Sequence, residues 1–413
     1  MSSATPPDSV IRHPLFWLLS FNMALVIFGY ALGVLTGMAS VTPMRYLKYS
    51  FLLISIFYLL KENNTLLKLL SHYLQPLAAL SLIFIAFALL SANPLNSILG
   101  VLTFIIPFLY VAFSMGALLL RYSIREVLHA FLDIINWIYF IPIISFFITG
   151  GSLTDTNIYF VSAENEESAF VSNHYGWSGT IFLLTSMDLL RNVSLPVWRR
   201  ILLIVFSAIA AYLALISGNR TSWLSLALVS LVFLIMYKQV PLYQKLILSV
   251  LPITLVFYLL NDPKSALNAR FEKTKSQQEK GEPRANLSTS MIDHFNETPD
   301  LWLTGIGMFN KERIKTISGW SGYHNSYLEV LFGSGIIVFS FFLYLIVFRP
   351  LFIYLRYFSS KYLFFIPLLI IPYFESNLTG GQFLFFPWFV MALLMSYAQT
   401  FAKIKLLMNS QYP

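Results

Sequence analysis

The sequence predicts an all-α fold, a polytopic membrane helical bundle of about 12 transmembrane helices with one long outer loop carrying short helices. Three observations predict it. Hydrophobic residues make up 57% of the chain and charged residues only 11%, with a mean hydropathy of +0.70, whereas a soluble domain carries about 25% charge. Apolar runs of roughly 18 or more residues recur from end to end, each long enough to cross a bilayer as a helix. The runs are continuous rather than alternating, which argues against a closed β-barrel.

In order, the expected spans fall near 14–36, 46–60, 73–91, 96–120, 127–149, 171–190, 199–217, 221–237, 243–260, 325–348, 362–374 and 382–402. The run that opens at Pro14 is too long for the apolar core of a cleaved signal, so it reads as the first span. Basic residues then orient the bundle. Arg12, Lys61, Arg121, Arg125, Arg191, Arg199, Arg200, Lys238, Arg349, Lys361 and Lys403 fall on the side of the two termini, whereas the short connections opposite hold only Arg45, Lys48 and Arg220. The termini are therefore expected in the cytoplasm and the long loop outside. The chain reads as a single integral membrane domain over 1–413, with 261–323 inserted between the ninth and tenth spans.

Two outer segments stand out. The connection 150–170 carries Asp155, Glu164, Glu166 and Glu167 and no basic residue, while the loop 261–320 holds Lys264, Arg270, Lys273, Arg284, Lys311, Arg313 and Lys315 among others. Within that loop Asn286 to Asn296 reads as an amphipathic helix with Leu287, Met291, Ile292 and Phe295 on one side. Gly305-Ile306-Gly307 turns the chain back. The absence of an internal repeat counts against a transporter built from two related halves. The absence of Cys excludes disulfides, thiolate nucleophiles and thiolate metal sites.

The chemistry gathers where the long loop meets the tenth span. Ser326-Tyr327-Leu328-Glu329 has the capping-box pattern that precedes an apolar run, so a helix is expected to begin near Ser326. His324 then lies just ahead of a helix N-terminus, where the macrodipole disfavours imidazolium. A neutral imidazole there can accept a proton from an attacking hydroxyl; the structural alternative is an interfacial polar residue bonded to a carbonyl. Glu329 has a sufficient capping role, with orientation of His324 as the other. Arg220, in Ser217-Gly218-Asn219-Arg220-Thr221, is a lone cation in a tight outer turn and offers a planar fork for bidentate phosphate contacts; snorkelling at the bilayer edge is its structural alternative. Arg284 or its competitor Arg270 would supply a second contact, and two such groups can stabilise a departing diphosphate without a metal. The carboxylates form no persuasive divalent-metal cluster. His174, in Ser172-Asn173-His174-Tyr175, stands at an outer mouth as a substrate contact or interface anchor, and Glu375 stands at another. His129 and Asp133 share one helix face near the cytoplasmic end, where interhelical hydrogen bonding competes with a transport role.

This pattern resembles the O-antigen ligase and O-antigen polymerase superfamily of bacterial envelope glycosyltransferases. The likeness rests on Ser217-Gly218-Asn219-Arg220-Thr221, Arg284, Gly305-Ile306-Gly307, His324-Asn325-Ser326-Tyr327-Leu328-Glu329 and Glu375, over roughly residues 205–380. The resemblance implies transfer of a glycan from undecaprenyl diphosphate to an acceptor hydroxyl on the periplasmic side of the bacterial inner membrane. It implies that His324 activates the acceptor while Arg220 and Arg284 hold the diphosphate, in an inverting transfer needing neither metal nor cofactor. Asn325, Tyr323 and Tyr327 would be nearby substrate contacts. A basic outer loop beside the bilayer suits an anionic lipid-linked donor, and nucleic acid is not an expected partner.

A ligase passes the glycan to lipid A–core, whereas a polymerase passes it to another lipid-linked repeat unit. Polymerases often show two sizeable basic outer loops, and here only 261–320 is long and basic, so ligase is the expectation. Enzymes that glycosylate proteins share the layout. A flippase or transporter of lipid-linked oligosaccharide is the alternative from another class, and it would depend on Asp133.

Overall fold

The computed structural model describes residues 8–21, 64–155, 168–217, 254–265, 283–319 and 326–357, with isolated residues between 24 and 57 and between 222 and 276. Among these residues every regular element is helical, as the composition required. The elements are α1 (Asp8–Ile11), α2 (Asn64–Leu89), α3 (Pro94–Arg121), α4 (Ile124–Ile148), α5 (Ser168–Asn192) and α6 (Val197–Ile216). After these come α7 (Pro283–Glu297), α8 (Leu301–Thr304), α9 (Lys311–Ser318), α10 (Ser326–Leu343), a π-helical turn Tyr344–Phe348 and α11 (Arg349–Tyr357).

Helices α3 to α6 follow the expected spans within three residues at each end, whereas α2 begins nine residues ahead of the expected 73–91. Two of the helices, α4 and α6, are long and apolar enough to cross a membrane, and Pro76–Leu89 and Tyr327–Leu343 are shorter apolar helices. The expected spans 46–60, 362–374 and 382–402, and much of 14–36, 221–237 and 243–260, lie outside the described residues. The count of twelve therefore extends beyond what the described residues establish.

Local sequence sets the boundaries. Asn93 caps α3, its side chain accepting from the Asn96 amide at 3.4 Å, with Pro94 at the first helical position where a missing N–H costs nothing. A full capping box opens α4: Ser123 Oγ accepts from the Glu126 amide at 3.3 Å and Glu126 accepts from the Ser123 amide at 2.9 Å. The helices then bury Phe16, Phe84, Phe131, Phe146 and Phe182 in one apolar core. Gly179 lets α5 approach α6 until a Cβ there would stand 2.3 Å from the Ala210 carbonyl oxygen, the close crossing that small residues permit in a membrane bundle. Asn136 ties α4 to α5 by donating to Thr185 Oγ1 at 3.0 Å and Ser186 Oγ at 2.8 Å.

Contacts at the helix ends separate the two poles. Arg121, ending α3, meets His13 of the N-terminal segment at 3.1 Å, which places them at one pole. At the other, Tyr212 near the end of α6 donates to the Asp155 carbonyl at 2.6 Å. The Trp223 indole donates to the Leu215 carbonyl at 3.0 Å across the turn that follows α6.

One expected span is not a continuous helix. The run 325–348 is interrupted at Gly335, where φ is 77° and ψ 171°. Ser326 to Ser334 therefore forms a separate half-helix. An extended left-handed residue suits glycine alone, and the Gly333-Ser334-Gly335 triplet supplies it inside an otherwise apolar run.

Candidate functional site

The long loop folds into a small cap. Helices α7, α8 and α9 and the first half of α10 enclose a second apolar cluster of Leu287, Met291, Phe295, Leu301, Ile306, Ile314 and Phe332, separate from the main core. The Phe295 ring packs edge-on against Trp302 and Phe332, with centroids 5.3 and 4.9 Å away. On α7 the buried stripe is Leu287, Met291 and Phe295 at i, i+4 and i+8, one face of a helix. Ile292, expected on that face, is 41% exposed: one residue beyond Met291 is a rotation of about 100°. The helix also begins three residues earlier than its apolar pattern suggested, because Pro283 is preorganised for a first turn. Arg284 therefore lies within that first turn rather than ahead of the helix.

Residues 305–310 run as a buried strap between the cap and the bundle. The Ile306 amide donates to the Phe332 carbonyl at 2.8 Å and the Gly307 amide to the Gly333 carbonyl at 3.0 Å. Those two carbonyls would normally accept from the next turn of α10, and the break at Gly335 frees them. The strap thus satisfies the polar backbone that the break exposes, as buried non-helical backbone requires. At its far end the Met308 amide donates to the Phe87 carbonyl at 3.3 Å, where α2 ends, and Ser97 Oγ of α3 donates to the Phe309 carbonyl at 3.3 Å. At Gly305, Gly307 and Gly335 main chain lies against main chain. A Cβ on Gly305, where φ is +64°, would stand 2.5 Å from the Gly333 oxygen; one on Gly335 would stand 2.3 Å from the Leu303 oxygen.

The half-helix of α10 divides its side chains between the two cores. Leu328, Leu331 and Phe332 pack into the cap, whereas Tyr327 and Val330 pack on the main core, with the Tyr327 ring 6.4 Å from Phe342. Between them Glu329 is 3% exposed, within electrostatic reach of Lys311 at the start of α9. The helix is described from Ser326, the expected start.

His324, Tyr323, Asn325, Arg220, Arg270 and Glu375 lie outside the described residues. Arg284 and His174 are placed by backbone alone, in the first turn of α7 and the second turn of α5. What is described is the frame around them. Ser217 is the C-cap of α6, its amide bonded to the Leu213 carbonyl, which makes Gly218 the C′ position. Ser217 and Ser222, the described residues on either side of Arg220 in sequence, are both fully buried.

At the opposite pole stands a polar cluster that the sequence half revealed. Arg199 Nη2 donates to Asp133 Oδ1 at 2.9 Å and to Asn136 Oδ1 at 3.1 Å, with its guanidinium 3.7 Å above the Trp137 ring. Arg199, one of the orienting basic residues, is 3% exposed, inside the bundle. The signal was available: an acid within a span needs a partner, and Arg199 stands at the same pole. The glycines of the break were also missed, although glycine inside an apolar run marks a bend or a close backbone approach.

Residues 205–343, about a third of the chain, match a family model described as O-antigen ligase. The matched stretch runs from within α6 through the cap to the end of α10, and bears out the superfamily resemblance there. It supports an O-antigen ligase-type activity without separating ligase from polymerase, in a membrane setting with lipid-linked glycan substrates. None of the curated proteins compared with the chain matches it.

Proposed function

We propose, with the O-antigen ligase match as premise, that the chain transfers a glycan from undecaprenyl diphosphate to an acceptor hydroxyl on lipid A–core. The reaction takes place at the periplasmic face of the bacterial inner membrane, with both termini in the cytoplasm. The observation that carries the proposal is the match over 205–343, which encloses Arg220, Arg270, Arg284 and His324 in one segment. In the reaction His324 takes the proton of the acceptor hydroxyl. That oxygen forms its bond to the anomeric carbon from the face opposite the diphosphate, the carbon–oxygen bond to the diphosphate breaks, and configuration inverts. Undecaprenyl diphosphate leaves with the bonding electrons, its charge held by Arg220 and Arg284, with Arg270 the alternative second contact. No metal or cofactor enters a step. Asn325, Tyr323, Tyr327, His174 and Glu375 would line the substrate.

The described frame supports these roles. A cation in the first turn of α7 is unfavourable to the helix itself, whereas the free amides of that turn favour an anion. Arg284 there makes sense beside a phosphate. The strap fixes the half-helix two residues beyond His324. The transport alternative loses support, because Asp133 is paired with Arg199.

The test is transfer by the purified full-length protein, given the lipid-diphosphate glycan with lipid A–core or with a second lipid-linked glycan. The wild type is expected to modify lipid A–core, and His324→Ala to lower the rate by at least about a hundredfold at unchanged abundance. Product on the lipid-linked glycan alone makes the enzyme a polymerase. Undiminished transfer by His324→Ala overturns the mechanism.

A further inference from the structure

Charge is unevenly spread over the cap. Asp293, Glu297 and Asp300, at the end of α7 and the turn into α8, are all exposed. On α9 Lys311, Arg313 and Lys315 are exposed as well, and among the described residues none of the three is held in an ion pair. Between 283 and 319 four basic residues are matched by four acidic ones. Three of the four bases gather on α9, where Glu312 is the one acid, and three of the four acids gather at the end of α7 and the turn into α8.

The basic residues of α9 lie on a helix packed beside α10. Lys311 and Lys315, four residues apart, share one side of α9. Ile314 and Ile317 anchor the helix in the cluster that holds Leu328, Leu331 and Phe332 of α10, and Lys311 is within electrostatic reach of the buried Glu329. Helix α9 is thereby fixed against the half-helix that begins two residues after His324. From the other direction, Ser318 stands six residues from His324, at most about 20 Å of extended chain. Insertion of an apolar face into the bilayer is not the use of this edge. An interfacial helix sinks an apolar face into the bilayer, and the apolar residues of α9 are already packed inside the cap.

We infer that the Lys311–Lys315 edge of α9 binds anionic groups, phosphates in the first place, carried on the glycan of the acceptor. The inference rests on the transfer reaction proposed above. The donor's diphosphate is assigned to Arg220 and Arg284. The group that must reach His324 is the acceptor hydroxyl, so the glycan bearing it extends from that point over the neighbouring surface. Ammonium groups on flexible stems suit phosphates of variable position, where a planar guanidinium pair would demand one geometry. The acidic edge at Asp293, Glu297 and Asp300 repels the same glycan and directs it to α9.

The experiment measures initial rates of the full-length enzyme in lipid nanodiscs, with lipid A–core acceptor either phosphorylated or stripped of its phosphates by a phosphatase. Lys311→Gln/Lys315→Gln is expected to raise KM for the phosphorylated acceptor about tenfold, with kcat and donor KM nearly unchanged. On the dephosphorylated acceptor wild type and variant should coincide. Asp293→Asn/Glu297→Gln is expected to leave both acceptors' KM no higher than wild type. An equal KM rise on both acceptors, or a rise in donor KM, overturns the inference. Failure of the wild type to use lipid A–core in either form is a different result, and overturns the proposed function instead.

Discussion

At one pole of the bundle Arg199 donates to Asp133 and Asn136 across α4 and α6, with Trp137 beneath its guanidinium. At the other, the strap 305–310 meets α10 and α2 through amide–carbonyl bonds and glycine contacts. The first junction is made of side chains and the second depends on their absence. Side chains can follow small shifts in helix position, because their torsions absorb them. Backbone pressed on backbone cannot, since a single added carbon collides. The first arrangement suits holding helices together, and the second suits fixing the position of one half-helix, the one that begins two residues after His324.

That difference can be broken from the glycine side with the largest effect. Gly335→Val puts a Cβ into the Leu303 carbonyl at a residue where φ is +77°, displacing the strap and with it the start of α10. Transfer is expected to fall by at least about a hundredfold, as misplacement of about 1 Å in a catalytic centre can do. Protease nicking should appear within 298–310, while α4 to α6 stay folded. A near-wild-type rate for Gly335→Val would mean that the strap does not position the reacting end.

Breaking the other junction should act on stability and leave chemistry alone. Asp133→Ala leaves the Arg199 guanidinium buried without its carboxylate. A fully buried pair so treated costs about 3–5 kcal/mol, but the Asp133 side chain is 47% exposed, so about 2–3 kcal/mol is expected, read by unfolding in mixed micelles. Rate per folded molecule should be unchanged, and Asp133→Asn should be milder because it keeps a hydrogen bond. Loss of function at unchanged stability would revive the transport reading.

The same contrast explains what was legible in the sequence. Apolar length placed α3 to α6 within a few residues, because burying or lipid-exposing a helix demands composition and little else, but it missed the more polar first turns of α2, which begins at Asn64. The start near Ser326 was legible from its polar residues ahead of an apolar run, whereas the caps at Asn93 and Ser123 set starts two or three residues earlier than apolar length suggested. The break at Gly335 was not, since hydropathy averages over glycines and cannot register that one of them stands where Leu303 passes. The Asp133–Arg199 pair needed knowledge of which helices adjoin, which periodicity does not supply. For the reacting end, order along the chain pointed to Arg220, Arg284 and His324 through the chemistry of their residue types. The basic edge of α9 was visible only as loop charge, because its orientation depends on Ile314 and Ile317 being drawn into the cap.

Helix α7 gives the finest distinction between pattern and packing. Apolar spacing assigns Met291 and Ile292 to one face, whereas Met291 is fully buried and Ile292 is 41% exposed. Met291→Ala is expected to cost the cap about 2–3 kcal/mol, the transfer and cavity cost of a buried methionine. Ile292→Ser should stay within about 0.5 kcal/mol, as surface changes do. The comparison is read by protease sensitivity of the 283–319 segment in the full-length protein, because a cap this small opens locally before the bundle does. Equal sensitisation by the two variants would place Ile292 in a contact after all, turning α7 about its axis. Arg284 would turn with it, so the pair of variants also reports how the first turn of α7 faces the diphosphate.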